Sequence, residues 1–237
     1  MNECFVTGCD VHTEWMLKWF ITNYRQHNDT PIVFCDFGVS KSMLTWINEV
    51  FDAVIPYTEF LNDLESMREY RRWFLKPSAM LRVKSHKAVW LDTDCEVLGD
   101  ISDIFDLLVE DRINIVQDLP WSSRRREIWH NTGVFGIINK PDALYKWVIE
   151  CRRTMTPFTM NSVPIGDQDA LHALCTQNPI VRMSYIHDLP NVYNWLRIQL
   201  LDGQDDPNKL IMHWTGPKGK DIIKEKIKAT PWQNNFI

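Results

Sequence analysis

The segment Ala88-Val89-Trp90-Leu91-Asp92-Thr93-Asp94 sets an apolar run against two carboxylates separated by one residue. A strand that continued through both would put the two side chains on one face. A chain that turned there would bring them together beyond the strand's carboxyl end. Either arrangement offers hard oxygen ligands suited to Mn²⁺ or Mg²⁺, with a diphosphate held beside the ion. An Asp pair that only caps a turn has the same sequence, so the motif alone does not decide. A phosphatase-type Asp-x-Asp nucleophile is a further alternative, and Glu96 weakens it because a small hydroxylic or β-branched residue is expected at that position. Three other groups have chemical potential. His213 closes the short apolar run Leu210-Ile211-Met212, Lys218 and Lys220 follow a Gly-Pro turn, and Asp167-Gln168-Asp169 opens a helical segment. At that last position a carboxylate is also an ordinary cap or first-turn residue.

Short β-branched or apolar runs that could present these groups lie at 4–7, 32–36, 53–55, 88–91, 113–117, 134–138, 181–186 and 210–213. Helical spacing fills several gaps between them. Trp15, Met16, Trp19, Phe20 and Tyr24 recur at the interval of a core-facing helix, with Thr13 placed as its N-cap and Glu14 favourable in the first turn. Met43, Leu44, Ile47 and Val50 mark a second helix; 77–83, 143–151 and 170–174 mark three more, the first with Pro77 in its opening turn. This alternation predicts an α/β protein with a mostly parallel central sheet flanked by helices, whose ligand site lies at the carboxyl ends of the strands. The runs 120–129 and 154–166 are expected to be functional loops. No repeat or Gly/Ser linker interrupts the chain, so one domain over residues 1–237 is expected.

Composition narrows the function classes. The chain has 237 residues, 45% hydrophobic and 24% charged, with a formal net charge of −5. A globular core is expected, and a nucleic-acid partner is disfavoured because phosphate neutralisation needs a basic face. No apolar run reaches the length of a membrane span and the first residues lack a signal-peptide pattern, which makes a cytoplasmic location the expectation. The six cysteines form no Cys-x-x-Cys pair and are expected to be buried thiols. Of the eleven tryptophans, Trp15, Trp19, Trp46, Trp90 and Trp147 fall on predicted elements and are assigned to the core, while Trp121, Trp129, Trp195 and Trp214 fall near loops where they could stack on a sugar. The basic stretch 218–228, followed by Trp232 and Phe236, suits a solvated helix face or a weak peripheral contact with an anionic membrane.

Five motifs in order extend the Asp-x-Asp signal. They are Leu91-Asp92-Thr93-Asp94 with its continuation to Phe105, Asn131-Thr132-Gly133-Val134, Gly166-Asp167-Gln168-Asp169, Leu189-Pro190-Asn191-Val192-Tyr193-Asn194 and His213-Trp214-Thr215-Gly216. In these the chain resembles the family 8 retaining glycosyltransferases, which include glycogenin and bacterial lipopolysaccharide galactosyltransferases. The resemblance implies a GT-A fold, the nucleotide-diphospho-sugar transferase sandwich, and a UDP-sugar donor held through Mn²⁺ or Mg²⁺. It makes Asp92, Asp94 and His213 the metal ligands. Thr93, Lys76, Asp118, Asn131, Gly133 and Gly216 fall where the family contacts the donor, and Asp167 and Gln168 fall beside the reacting anomeric carbon. Thr7 and Asp10, at the end of the first strand, would take up uracil and ribose. The family lysine six residues after the histidine corresponds to Gly219 here. Its role then passes to Lys218 or Lys220, with Lys218 preferred.

The resemblance thus implies a metal-dependent hexosyltransferase that retains configuration, acting on a glycan, lipid-linked or protein acceptor. A glutamine at position 168 is a poor nucleophile, which favours same-face attack over a covalent intermediate. Two rivals share the fold. One is a sugar nucleotidyltransferase, disfavoured by the lack of a Gly-rich loop at the first strand; the other is a non-catalytic nucleotide-sugar or glycan-binding protein.

Overall fold

A computed structural model describes residues 1–64, 69–154, 166–176 and 179–229. Most of the expected loop 154–166, together with Trp232 and Phe236, lies outside the described residues. The strands are β1 (Glu3–Cys9), β2 (Ile32–Asp36), β3 (Ala53–Ile55), β4 (Lys87–Leu91), β5 (Cys95–Val97), β6 (Ile113–Gln117), β7 (His130–Ile138), β8 (Ile186–Leu189), β9 (Trp195–Leu196) and β10 (Ile211–His213). The α-helices are α1 (Leu17–Arg25), α2 (Lys41–Val50), α3 (Leu61–Leu64), α4 (Lys76–Arg82), α5 (Leu119–Arg125), α6 (Asp142–Thr154), α7 (Asp167–Thr176), α8 (Pro179–Tyr185), α9 (Arg197–Leu201) and α10 (Gly216–Ala229).

Among the described residues, seven strands form the central sheet in the order β3-β2-β1-β4-β7-β6-β8, and β5, β10 and β9 form a small second sheet. Neighbours in the large sheet are parallel except that β7 runs antiparallel to β4 and β6. The inner strands are buried on both faces, which explains why they read as continuous apolar runs rather than alternating ones. One face packs Trp90 and Phe135 against Met80 of α4, Trp147 of α6 and Leu171 of α7. The other packs Phe5, Phe34 and Val89 against Phe20 and Tyr24 of α1, and reaches Ile223 of α10.

Three expected elements differ. Thr13 does not cap α1: its hydroxyl donates to Asp10 Oδ1 at 3.1 Å, and a short 3-10 turn at Glu14–Met16 leads into the helix. The run 181–186 folds mainly as α8, with Ile180 and Met183 exposed, and the strand begins only at Ile186, which pairs with Ile113. A short apolar run without alternation does not separate helix from strand. The run 120–129, expected to be a functional loop, opens instead within α5, because the Asp118 side chain accepts the Trp121 N–H at 2.9 Å and Pro120 suits a first turn. All six cysteines are free and buried. Among the described residues no helix is long and apolar enough to cross a membrane.

Two features aim the site. Register shifts between Ile115 and Val116, whose partners on β7 are Phe135 and Asn131, so residues 132–134 bulge toward the carboxyl end of β4. There Gly133 O accepts from Asp92 N at 2.8 Å. The second feature is a buried ion cluster under α4. Asp63 accepts from Ser78 Oγ at 2.7 Å, Arg82 at 2.8 Å and Arg152 at 2.5 Å, tying the segment before α4 to α4 and α6. Burial would raise the Asp63 carboxyl, but Ser78 and the two guanidiniums lower it below the ordinary value. Asp63→Ala removes the carboxylate shared by Ser78 and both arginines, and because Arg152 reaches solvent and Arg82 keeps its bonds to Glu59 O and Ser78 O the expected loss is about 2–3 kcal/mol. Urea unfolding of the variant against the wild type measures it, and a loss below about 0.5 kcal/mol, the level of a neutral surface change, would contradict the anchoring role.

Candidate active site

β4 ends at Leu91 and the chain turns, with Cys95 N donating to Asp92 O at 3.0 Å before β5 begins. The two aspartates therefore converge beyond the strand end. Asp92 Oδ1 accepts from Trp90 Nε1 at 2.7 Å and Oδ2 from Lys76 Nζ at 2.9 Å. Asp94 Oδ1 lies 3.1 Å from His213 Nε2, and Oδ2 accepts from Lys220 Nζ at 3.0 Å. β10 pairs antiparallel with β5, setting His213 opposite Cys95, and Trp214 N donates to Asp94 O at 3.0 Å; this register carries the histidine to the aspartates. One ligand atom from each of Asp92, Asp94 and His213 lies within 4.8 Å of the others. Two carboxylates and an imidazole suit Mn²⁺ or Mg²⁺ in chemistry and spacing, so the residues present fit a divalent cation.

Lys76 is buried at the start of α4 and is shared by two acids. Its Nζ lies 2.9 Å from Asp92 and 3.2 Å from Asp167 Oδ2, the latter an ion pair without hydrogen-bond alignment. Burial alone would depress the lysine, but Asp167 and Asp92 reverse that and hold it firmly protonated. For Asp94 burial would raise the carboxyl, yet His213 and Lys220 hold it well below the usual carboxylate range. Asp167 goes the other way: burial raises it, Lys76 opposes, and the charge of Asp92 adds to the rise.

Two clefts meet at these acids. The first, ≈ 330 Å³, runs from Gly8, Asp10, His12 and Thr13 to Asp92, Thr93 and Asp94. The second, ≈ 670 Å³, continues past Asn131, Gly133, Asp167, Gln168, His213 and Gly216. Trp73, Lys76, Asp92 and Asp94 line both. In the second cleft Trp121 and Trp129 stand edge to face with centroids 6.3 Å apart, and Arg125 lies over the Trp121 ring.

Of the expected donor-binding residues, Lys76, Asp10, Thr93, Asn131, Gly133 and Gly216 line these clefts beside the aspartates, and Gln168 and Asp167 line the second. Gly216 has φ +73, a left-handed conformation that favours glycine. Three expected residues lie away from the aspartates or the cleft surface. β1 continues two residues past Thr7 to Cys9, so Thr7 lies inside the sheet, fully buried, and Gly8 and Asp10 reach the cleft instead. Asp118 sits behind the cleft wall, where Oδ1 caps α5 and Oδ2 accepts from Gln168 Nε2 at 3.2 Å and Asn131 Nδ2 at 3.4 Å. It is not among the residues that line either cleft, and it holds two that are. Lys218 is exposed, whereas Lys220 pairs with Asp94, because α10 begins at Gly216 and two residues span about 200° of helix. Gly219 packs on the Trp214 backbone, where a Cβ would overlap the carbonyl group, so no side chain fits at that position.

Trp195 and Trp214 line neither cleft; Trp214 instead donates to Glu96 at 2.8 Å. Lys224 pairs with Asp221 and Lys228 with Glu225 along α10, and Lys226 pairs with Glu96 of β5. Trp73 and Asn194 belong to the site without being marked for it by sequence reasoning. Asn194 has a signal, since it closes the Leu-Pro-x-x-Tyr-Asn motif, whereas Trp73 has none.

The opposite shifts of Asp94 and Asp167 have a direct readout. Asp94, depressed in the fold, adds stability above its unfolded value of about 3.9 that is lost as pH falls through the folded value. Asp167, raised in the fold, costs stability once pH rises above about 3.9. A carboxyl ¹³C titration is expected to show Asp167 taking up its proton at higher pH than ordinary aspartates and Asp94 at lower pH. The reverse order would contradict the charge pairing described.

No protein-family profile matches the sequence, and no curated protein is significantly similar to it. Solved structures are similar in fold. The galactosyltransferase LgtC, solved in complex with donor and acceptor sugar analogues, superposes with TM-score 0.64 at 16% identity, covering 96% of both chains. An active-site mutant of LgtC gives 0.65 at 16% identity and 95% of both. The glycosyltransferase GlyE of Streptococcus pneumoniae TIGR4 gives 0.64 at 19% identity, over 98% of this chain and 62% of that one. Mouse xyloside xylosyltransferase 1 gives 0.57 at 13% identity, over 90% and 96%. With its seven-stranded sheet, helices on both faces and acids at the end of β4, the chain has the GT-A fold of these glycosyltransferases.

Proposed function

We propose that the protein is a metal-dependent glycosyltransferase that moves a hexose from a UDP-sugar to a glycan, lipid-linked or protein acceptor with retention at the anomeric carbon. The observation that carries this reading is the Asp92, Asp94 and His213 cluster on the wall shared by two clefts, with Gln168 in the larger one. The smaller cleft suits the nucleoside, the junction suits the diphosphate, and the larger cleft suits the sugar and the acceptor. A divalent cation at the junction would supply neutralisation of charge developing on the leaving diphosphate.

Lys76 and Lys220 bind and orient the diphosphate in this account. Each already lies about 3 Å from the acids that face it, and charge-assisted bonds to an arriving diphosphate would replace those contacts. Gln168 gives its Nε2–H to Asp118 and accepts from Asn131 at 3.3 Å through Oε1, which leaves one lone pair of that oxygen for the cleft. That oxygen steadies positive charge on the sugar as its bond to the diphosphate breaks. The acceptor hydroxyl attacks from the same face, forming the new C–O bond and passing its proton to the departing phosphate oxygen. Trp121 and Trp73 offer rings on which acceptor sugars stack, while Trp129, buried and stacked on His172, backs Trp121.

A panel of UDP-sugars incubated with Mn²⁺ tests the reading through UDP release. Release from one donor, abolished by EDTA, is expected; no release from any donor together with Mn²⁺-dependent UDP binding would favour a binding protein. Gln168→Ala is expected to lower turnover about 10²-fold, the scale of one electrostatic stabiliser, while donor affinity changes by a few-fold. Equal losses in both would remove Gln168 from the reacting carbon. Asp94→Ala is expected to abolish metal-dependent UDP binding while the circular dichroism of the fold is kept, and unchanged affinity would contradict the metal site.

A further inference from the structure

A chain of buried hydrogen bonds links the metal-ligand cluster to the wall of the larger cleft, and its direction follows from one group. The Gly133 backbone N–H can only donate, and it lies 3.0 Å from Asn131 Oδ1. That fixes the Asn131 amide with its oxygen toward Gly133. The same oxygen accepts from Asn194 Nδ2 at 3.0 Å, so Asn194 turns its own oxygen toward His213 Nδ1, 2.9 Å away. An amide oxygen cannot donate. In the neutral ring Nδ1 therefore carries the proton, and Nε2 holds the lone pair. Nε2 is the nitrogen that faces Asp94 Oδ1 at 3.1 Å and Asp92 Oδ2 at 4.0 Å.

The ring is also fixed in place. A Cβ on Gly133 would overlap His213 Cε1 and lie 2.5 Å from Nδ1, so the imidazole rests directly on the glycine backbone. Asn194 is completely buried. In the other direction Asn131 Nδ2 donates toward Asp118 Oδ2 and Gln168 Oε1, which turns Gln168 Nε2 to Asp118. One backbone amide thus sets the orientation of three side-chain amides and one imidazole.

We propose that Asn194 is a positioning residue that holds His213 with Nδ1 protonated and Nε2 free toward Asp92 and Asp94, its own orientation being set by the Gly133 amide through Asn131. The proposal rests on the metal reading of the cluster. Asn194 acts through the histidine and touches neither donor nor cation, and outer partners of this kind carry a large share of a ligand's affinity.

Mn²⁺ titration followed by the paramagnetic resonance of the free aquo ion separates the two claims, using wild type, Asn194→Leu and Asn194→Asp. Leucine keeps the volume without an acceptor; aspartate keeps an acceptor for Nδ1–H. Asn194→Leu is expected to weaken Mn²⁺ binding about 10–100-fold, and Asn194→Asp is expected to keep most of it. Equal affinity in Asn194→Leu and wild type, or leucine binding no worse than aspartate, would overturn the positioning role. Absence of Mn²⁺ binding in the wild type would instead overturn the metal reading beneath it. Should Asn194→Leu fail to fold, ring-¹⁵N spectra of the wild type with Cd²⁺ decide. A protonated Nδ1 and a ligated Nε2 on His213, assigned by their loss in His213→Gln, are expected, and ligation through Nδ1 would contradict the proposal.

Discussion

Placing Asp92, Asp94 and Asp167 beside one another with little solvent is the constraint on which the site depends. Unpaired carboxylates in such a place would be protonated or would unfold their surroundings. Two lysines prevent this. Lys76 serves Asp92 and Asp167 together, and Lys220 serves Asp94 with His213 on its other oxygen. A buried ion cluster is poor evidence for stability, since its desolvation offsets most of its attraction. Its value here is positional, because each charge is held in a known place with a partner that an incoming dication or diphosphate can replace.

Each charge reaches its place by a different route through the fold. β4 delivers Asp92 at its carboxyl end and the turn to β5 delivers Asp94. α4, clamped through Asp63, brings Lys76 from one face of the sheet, while β10 and α10 bring His213 and Lys220 from the small second sheet. The bulge in β7 supplies Asn131 and Gly133 from the side. Separate stretches of chain therefore converge on one point, and the side-chain contacts of the two aspartates are distant in sequence except that of Trp90 with Asp92. The junction separates two clefts of unequal size, which is the arrangement expected when one ligand spans both and its linking group sits between them.

Much of this architecture is legible in the sequence. The strands at 32–36 and 113–117 have the bounds that their apolar runs predict, because strands buried on both faces leave no ambiguity of phase, and the half-buried edge strand at 53–55 has its predicted bounds too. Asp92, Asp94, His213 and Gln168, which the motifs single out, and Lys76, which the resemblance adds, lie together around the two clefts. Thr7 falls two residues short of the strand end, and no local signal marks that length. That Lys220 rather than Lys218 meets Asp94 depends on which side of α10 faces β5, and the contacts of Asp118 with Asn131 and Gln168 join residues far apart in sequence. Asn194 stands in a visible motif, yet its purpose lies in a hydrogen-bond direction that begins at residue 133 and ends at residue 213. Polar networks of that kind are tertiary facts.

The most direct test of the account is the anomalous scattering of a crystal grown with Mn²⁺ and UDP. The account predicts a single strong manganese peak bridging Asp92, Asp94 and His213 Nε2, with diphosphate oxygens beside it and the Lys220 ammonium drawn from Asp94 toward the phosphates. A crystal with UDP bound and no peak there, and with Lys76 and Lys220 still seated on their carboxylates, would contradict it.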